Sequence, residues 1–157
     1  MNSKKTKILT IALCLIIFAI SLTKNAVVTN HIKLNDIEMK TSSSLEFFIS
    51  GSIAFLGGGL FEEIIWLANP LCLISIIMLI KNNPKSKKLS FIALLLAISF
   101  AFWKEILANE GGGKAQIISL ENGYYLWILS IIVLNIGVNS YFNSEKEILI
   151  EKENTNA

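Results

Sequence analysis

Arginine is missing from this chain: its fourteen basic side chains are all lysine, set against twelve Asp and Glu and a single His. Dedicated phosphate or nucleic-acid recognition favours the planar guanidinium fork, so this absence argues against nucleic acid as a partner. Cysteine is scarce. Cys14 and Cys72 both fall inside apolar runs, which argues against a disulfide framework and reads as small buried hydrophobes. The one histidine, His31, falls in a predicted loop with neither Cys nor a second His beside it, so no metal site is expected. The spacings H-E-x-x-H and G-x-S-x-G are absent, and the glycine runs at 57–59 and 111–113 have neither phosphate-loop spacing nor a preceding strand. No catalytic residue and no cofactor are expected.

What the sequence has instead is apolar residues in blocks. Its 157 residues suffice for one domain, 53% of them are hydrophobic and the mean hydropathy is +0.58. Residues 8–23, 64–80, 89–102 and 124–142 are almost free of charge, and Lys, Glu, Asn and Gly crowd the segments between. A water-soluble core would spread its apolar residues at helical or strand spacing. Here whole turns are apolar on every face, which suits lipid as the solvent.

A helix needs roughly 20 residues to cross a hydrocarbon core of about 30 Å. On that measure the sequence predicts an all-α, four-helix transmembrane bundle with spans near 8–28, 62–80, 89–108 and 124–142. Lys24 and Lys104 would snorkel at the span ends. The first run also has the basic start and apolar middle of a secretory signal, but small residues at a good cleavage spacing are missing, so retention is expected. Lysines set the direction: Lys4, Lys5 and Lys7 precede the first span, and KNNPKSKK at 81–88 holds four more. The longer segments 29–61 and 109–123 are sparser in lysine, which puts them outside a bacterial inner membrane, with both termini and the tail 143–157 inside. Trp66, Trp103 and Trp127, with Tyr124 and Tyr125, would then share the outer boundary, where amphipathic rings concentrate.

Residues 47–61 are apolar, glycine-rich and too short to cross alone, so they are expected to form an outside loop, short helix or re-entrant segment before the second span. Ser50, Ala54 and Gly58 fall on a four-residue stripe suited to close helix packing. Around Val28, Asn30, Ile32 and Leu34 a short alternating patch suits extended chain. The pair Asn69-Pro70 predicts a kink. A helix starting at Pro70 would reach only about 17 Å, so it must begin near residues 60–64, and Pro70 then frees the carbonyl of Trp66 for some other donor.

Candidate functional residues gather at the predicted outer mouth. Glu62, Trp66 and Asn69 share a helical face, and Glu63 diverges from Glu62 by about 100°. Lys104, Glu105 and Glu110 lie at the matching level of the third span, Tyr124 and Tyr125 at that of the fourth. Ionisable groups at membrane depth are usually functional; the plainer reading makes these ordinary interfacial anchors and loop charges. Asn135 and Asn139, four apart in the fourth span with Gly137 between, suit hydrogen bonding between helices.

Through WLANPL at 66–71, Lys104-Glu105 followed by NEGG at 109–112, and GYYLW at 123–127, the chain resembles small bacterial multi-span inner-membrane proteins to which no chemistry is assigned. The resemblance covers about the last hundred residues and implies a multi-span fold without a mechanism. The expected function is therefore that of a non-enzymatic membrane protein working through contacts with a protein partner or with itself, in an accessory, immunity or envelope role. A small oligomeric transporter or channel is the alternative, and mostly Leu and Ile between the polar positions disfavours it.

Overall fold

The computed structural model of the chain describes residues 3–33, 36–107 and 113–155. Helix α1 (Ser3–Leu22) leads into a hairpin of β1 (Asn25–Lys33) and β2 (Asp36–Ser43). Helix α2 (Ser44–Gly51), a 3-10 turn (Ala54–Gly57) and α3 (Leu60–Trp66) then lead to α4 (Ala68–Ile80). Helix α5 (Lys85–Ser99) ends in a second 3-10 turn (Phe100–Phe102), and β3 (Glu105–Leu107) and β4 (Lys114–Leu120) precede α6 (Asn122–Thr155).

The four strands correct the all-α expectation. They form one antiparallel sheet in the order β2-β1-β4-β3, so the two hairpins join through β1 and β4, with Val27 opposite Leu120 and Thr29 opposite Ile117. A lone two-stranded hairpin is marginal in water. The pairing that makes these segments a sheet links residues about ninety positions apart, and no local pattern carries it. The alternating patch around Val28 is the part of this sheet that the sequence hinted at.

Strand formation also moves the helix ends. The first helix stops at Leu22 rather than near 28, and the third at Ser99, its 3-10 turn reaching Phe102 rather than 108. At the other extreme α6 runs on to Thr155, about 51 Å at 1.5 Å per residue, through the tail. Three helical stretches among the described residues are long and apolar enough to cross a membrane: Ser3–Leu22, Leu60–Ile80 and Asn122–Ile148. Helix α5 has fifteen residues, about 22 Å, and its 3-10 turn extends it to about 28 Å.

Large apolar side chains face outward on all four long helices: Ile8, Ile16, Leu73, Ile77, Phe91, Leu95, Leu129 and Ile136 are exposed. On α1 and α5 the buried contacts are made by small residues, Thr6, Thr10, Cys14 and Ser21 on the first and Ser86, Ser90, Ala93 and Ala97 on the second, packed against the buried Leu79 of α4 and Ile131, Leu134 and Val138 of α6. Small residues of this kind let helix backbones approach closely. Gly137 of α6 sits against Thr10, where a Cβ would lie 2.1 Å from the Thr10 hydroxyl. Ser75 and Ser86 bind each other's carbonyls at 3.1 and 2.9 Å, clasping α4 to α5. Asn135 donates to Ser90 Oγ at 3.1 Å and joins α6 to α5, whereas Asn139 turns back to the carbonyl of Asn135 at 2.8 Å within its own helix.

One end of the bundle is closed by the turn between α4 and α5. There Lys7 donates to Asn82 and lies 4.9 Å above the Tyr141 ring, and the Tyr141 hydroxyl donates to Asn82 Oδ1 at 2.7 Å. The sheet covers the opposite end, its Val27, Ile106 and Ile117 resting on Ile65, Phe100 and Tyr124 from three helices.

Candidate functional site: a cavity beneath the sheet

Alternation along β1 and β4 sends Val27, Thr29 and Ala115 toward the bundle and leaves Gln116 and Ile118 exposed. Between this inner face, the ends of the helices and the α2–α3 segment lies a cavity of about 570 Å³. Ligand sites commonly enclose about 300–1,000 Å³.

Its floor is held by Asn69. Pro70 has no N–H to offer the Trp66 carbonyl, and the structure breaks the rod between α3 and α4 there. The Asn69 side chain supplies the missing donor, Nδ2 to the Trp66 carbonyl at 3.1 Å, while its Oδ1 accepts the Trp127 indole N–H at 2.9 Å. The Trp66 indole in turn donates to the Phe48 carbonyl at 2.8 Å, fixing α2 over α3. The Tyr124 hydroxyl donates to the Ala97 carbonyl at 3.0 Å, near the end of α5, and its ring packs on Phe100 and Trp127. Gly123 permits this first turn of α6 to approach: a Cβ there would lie 2.6 Å from the Asn25 carbonyl oxygen and 2.1 Å from Ser44 Oγ.

Four of the residues expected at an outer mouth therefore line one space: Glu62, Trp66, Asn69 and Tyr124. Glu62 accepts the Leu107 N–H at 2.9 Å and anchors β3 to α3. Others stand apart. Tyr125 is exposed and stacks edge-on against Tyr124, Lys104 is exposed, and Glu105 pairs with Lys114 at 3.4 Å on the surface. Glu63 keeps one carboxylate oxygen buried without a hydrogen-bond partner among the described residues, away from the cavity lining. Glu110 lies outside the described residues.

The stripe Ser50, Ala54 and Gly58 is not one helical face. Helix α2 ends at Gly51, Ala54 starts the 3-10 turn, and Gly58 takes φ 86°, a left-handed turn with open space around it. Gly51, next to Ser50, makes the close contact instead, 2.6 Å from the Trp66 ring for a built Cβ. Three successive glycines end a helix more readily than they pack one.

The polar edge of the cavity escaped the sequence reading. Thr29 and His31 stand two apart on the inner face of β1, with Thr29 Oγ1 3.1 Å from His31 Nε2. Lys40 and Ser42 come from β2, and Lys40 pairs with Glu46 of α2 at 2.9 Å. Partial burial pushes the Glu46 carboxyl up, but the hydrogen bond and charge of Lys40, with Ser42 and Ser43, outweigh it and hold the carboxyl below its ordinary value. The T-x-H spacing was the available signal; placing His31 in a loop concealed it. No cluster of three or more metal-ligating side chains occurs among the described residues. The cavity thus offers apolar walls, an aromatic floor and one hydroxyl- and charge-bearing edge, an arrangement for holding a molecule.

Compared with protein-family models, with curated proteins and with solved structures, the chain matches none.

Proposed function

We propose that this chain is a non-enzymatic, multi-pass protein of the bacterial cytoplasmic membrane that works by binding at its sheet end, with that end outside and both termini inside. The contrast between the two parts of the bundle carries the reading. Beneath the sheet lies a sheltered cavity with a polar edge; below its floor Ala68, Ala93, Ala97, Ile131, Leu134 and Val138 fill the middle of the bundle. A solute path needs polar groups in succession across the membrane, and this apolar plug interrupts one. Lysines at the end opposite the sheet support the orientation, as do Trp66, Trp103 and Trp127 at the sheet end. Helix α5 and its 3-10 turn, at about 28 Å, nearly match the hydrocarbon thickness and supply the fourth crossing. The strings WLANPL and GYYLW meet at the cavity floor through Asn69 and Trp127. An accessory, immunity or envelope role, exercised through contacts with a membrane partner, fits such a protein.

Two measurements test this. A cysteine placed at Lys85 is expected to react with impermeant reagents only after the cells are opened, and one at Asn30 in intact cells. Liposomes carrying the purified chain are expected to pass ions no faster than empty ones. A flux abolished by Glu62→Gln would overturn the binding reading in favour of a transporter.

A further inference from the structure

Resting on that binding reading, we infer that the cavity is a lipid site, taking an acyl chain of a phospholipid from the outer leaflet with its head against the His31–Lys40–Glu46 edge. The wall that separates the cavity from its surroundings is the segment α2, 3-10 turn and α3. Phe47, Phe48 and Ala54 of this wall line the cavity. Ile49, Phe55, Leu60 and Phe61 of the same segment do not line it and are 53% to 71% exposed. An apolar surface of this kind marks a contact with a partner or a membrane, and on the orientation proposed above it lies with Trp66 at the membrane boundary. The wall is therefore apolar on its outer side, against acyl chains, and mixed on its inner one, where Phe47, Phe48 and Ala54 stand with Glu46, Ser50 and Glu62.

The wall is also broken. Helix α2 stops at Gly51 and α3 starts at Leu60, and the chain between makes only a short 3-10 turn and the left-handed turn at Gly58, around which no atom lies within 4 Å of a built Cβ. Leu56 and Gly57 of this irregular stretch line the cavity themselves.

The interior is graded to match an amphiphile. Ile65, Phe100, Ile106 and Trp127 line it beside Asn69, bound to Trp66 and Trp127, and Glu62, bound to the Leu107 N–H, while Thr29, His31, Lys40 and Glu46 gather toward β2. In the wall beside them Ser44, 8% exposed, has a buried hydroxyl without a hydrogen-bond partner among the described residues. Lys40 and Glu46 provide a positive and a negative group for the phosphate and amine of a zwitterionic head.

Native mass spectrometry of the full chain, released from a delipidating detergent, tests the assignment. One phospholipid is expected to remain on each wild-type chain. Ala54→Phe, which fills the cavity from its wall, is expected to cut that retention about ten-fold, the equivalent of about 1.4 kcal/mol. Lys40→Gln, a change at an exposed edge that leaves the packing intact, is expected to lower retention of phosphate-bearing lipids while helicity stays constant. It serves as the test should the Phe variant not fold. Equal retention by wild type and both variants would mean annular lipid only, and would overturn the lipid site. A retained molecule other than a lipid, displaced by either variant, would overturn the lipid assignment and leave the binding reading standing. No retained mass, together with unchanged Trp emission in both variants, would overturn both.

Discussion

Replacing Asn69 by leucine removes an acceptor and a donor at once, and the structure says what each is worth. The side chain accepts from Trp127 Nε1 at 2.9 Å and donates to the Trp66 carbonyl at 3.1 Å. Bonds between side chains within bilayers average about 0.6 kcal/mol, so the pair sets a floor near 1.2 kcal/mol. Leaving a buried group unsatisfied costs about 1–3 kcal/mol, and the expected loss for Asn69→Leu lies between roughly 1 and 3 kcal/mol. The reason for the second bond is Pro70, which lacks the N–H that would otherwise reach the Trp66 carbonyl in the helical ladder. In a Pro70→Ala background that carbonyl regains a backbone donor, so the same substitution is expected to cost about half as much, with only the Trp127 bond lost. Unfolding in mixed micelles measures the four corners of this cycle, with tryptophan emission reporting on Trp127 directly. Equal cost in the two backgrounds would falsify the account of Asn69 as a donor standing in for the missing amide.

Three further outcomes are expected. Gly137→Ala places a methyl 2.1–2.6 Å from Thr10 atoms and should destabilise the α1–α6 pair by about 1–2 kcal/mol, overpacking less the helix propensity gained; Thr10→Gly in the same chain should restore most of it, and unfolding curves without rescue would place the contact elsewhere. Gly123→Ala meets the fixed carbonyls of Asn25 and Lys24 and should cost about 1–3 kcal/mol, whereas Gly58→Ala meets no atom and should cost only the left-handed backbone, about 1 kcal/mol; melting temperatures in the reverse order would refute this. Because the folded Glu46 carboxyl sits below its ordinary value of 4.5, the unfolded chain takes up that proton first as pH falls. The stability it lends is present above that value and is lost as pH drops through the lower folded one, so amide exchange in α2 should quicken below about pH 4.5. Lys40→Gln should flatten that change, and a profile insensitive to it would remove the ion pair from the argument.

Which stretches are long and apolar enough to cross a membrane was legible in the residues alone, because hydropathy is a property of each turn taken locally. The runs now seen as α1, α3–α4 and α6 were readable for that reason, and so was the orphaned carbonyl of Trp66, since Pro70 creates it whatever surrounds it. The face carrying Glu62, Trp66 and Asn69 followed from helical spacing. The sheet was not legible: β1 and β4 become strands only by pairing with each other, and their own residues pair just as well with water. With the sheet came everything it decides, including the early ends of α1 and α5, the enclosed volume above Asn69, and the meeting of His31 and Lys40 with Glu46 from separate segments. Local sequence set the hydropathy of each stretch of chain; contacts between distant stretches chose the cavity.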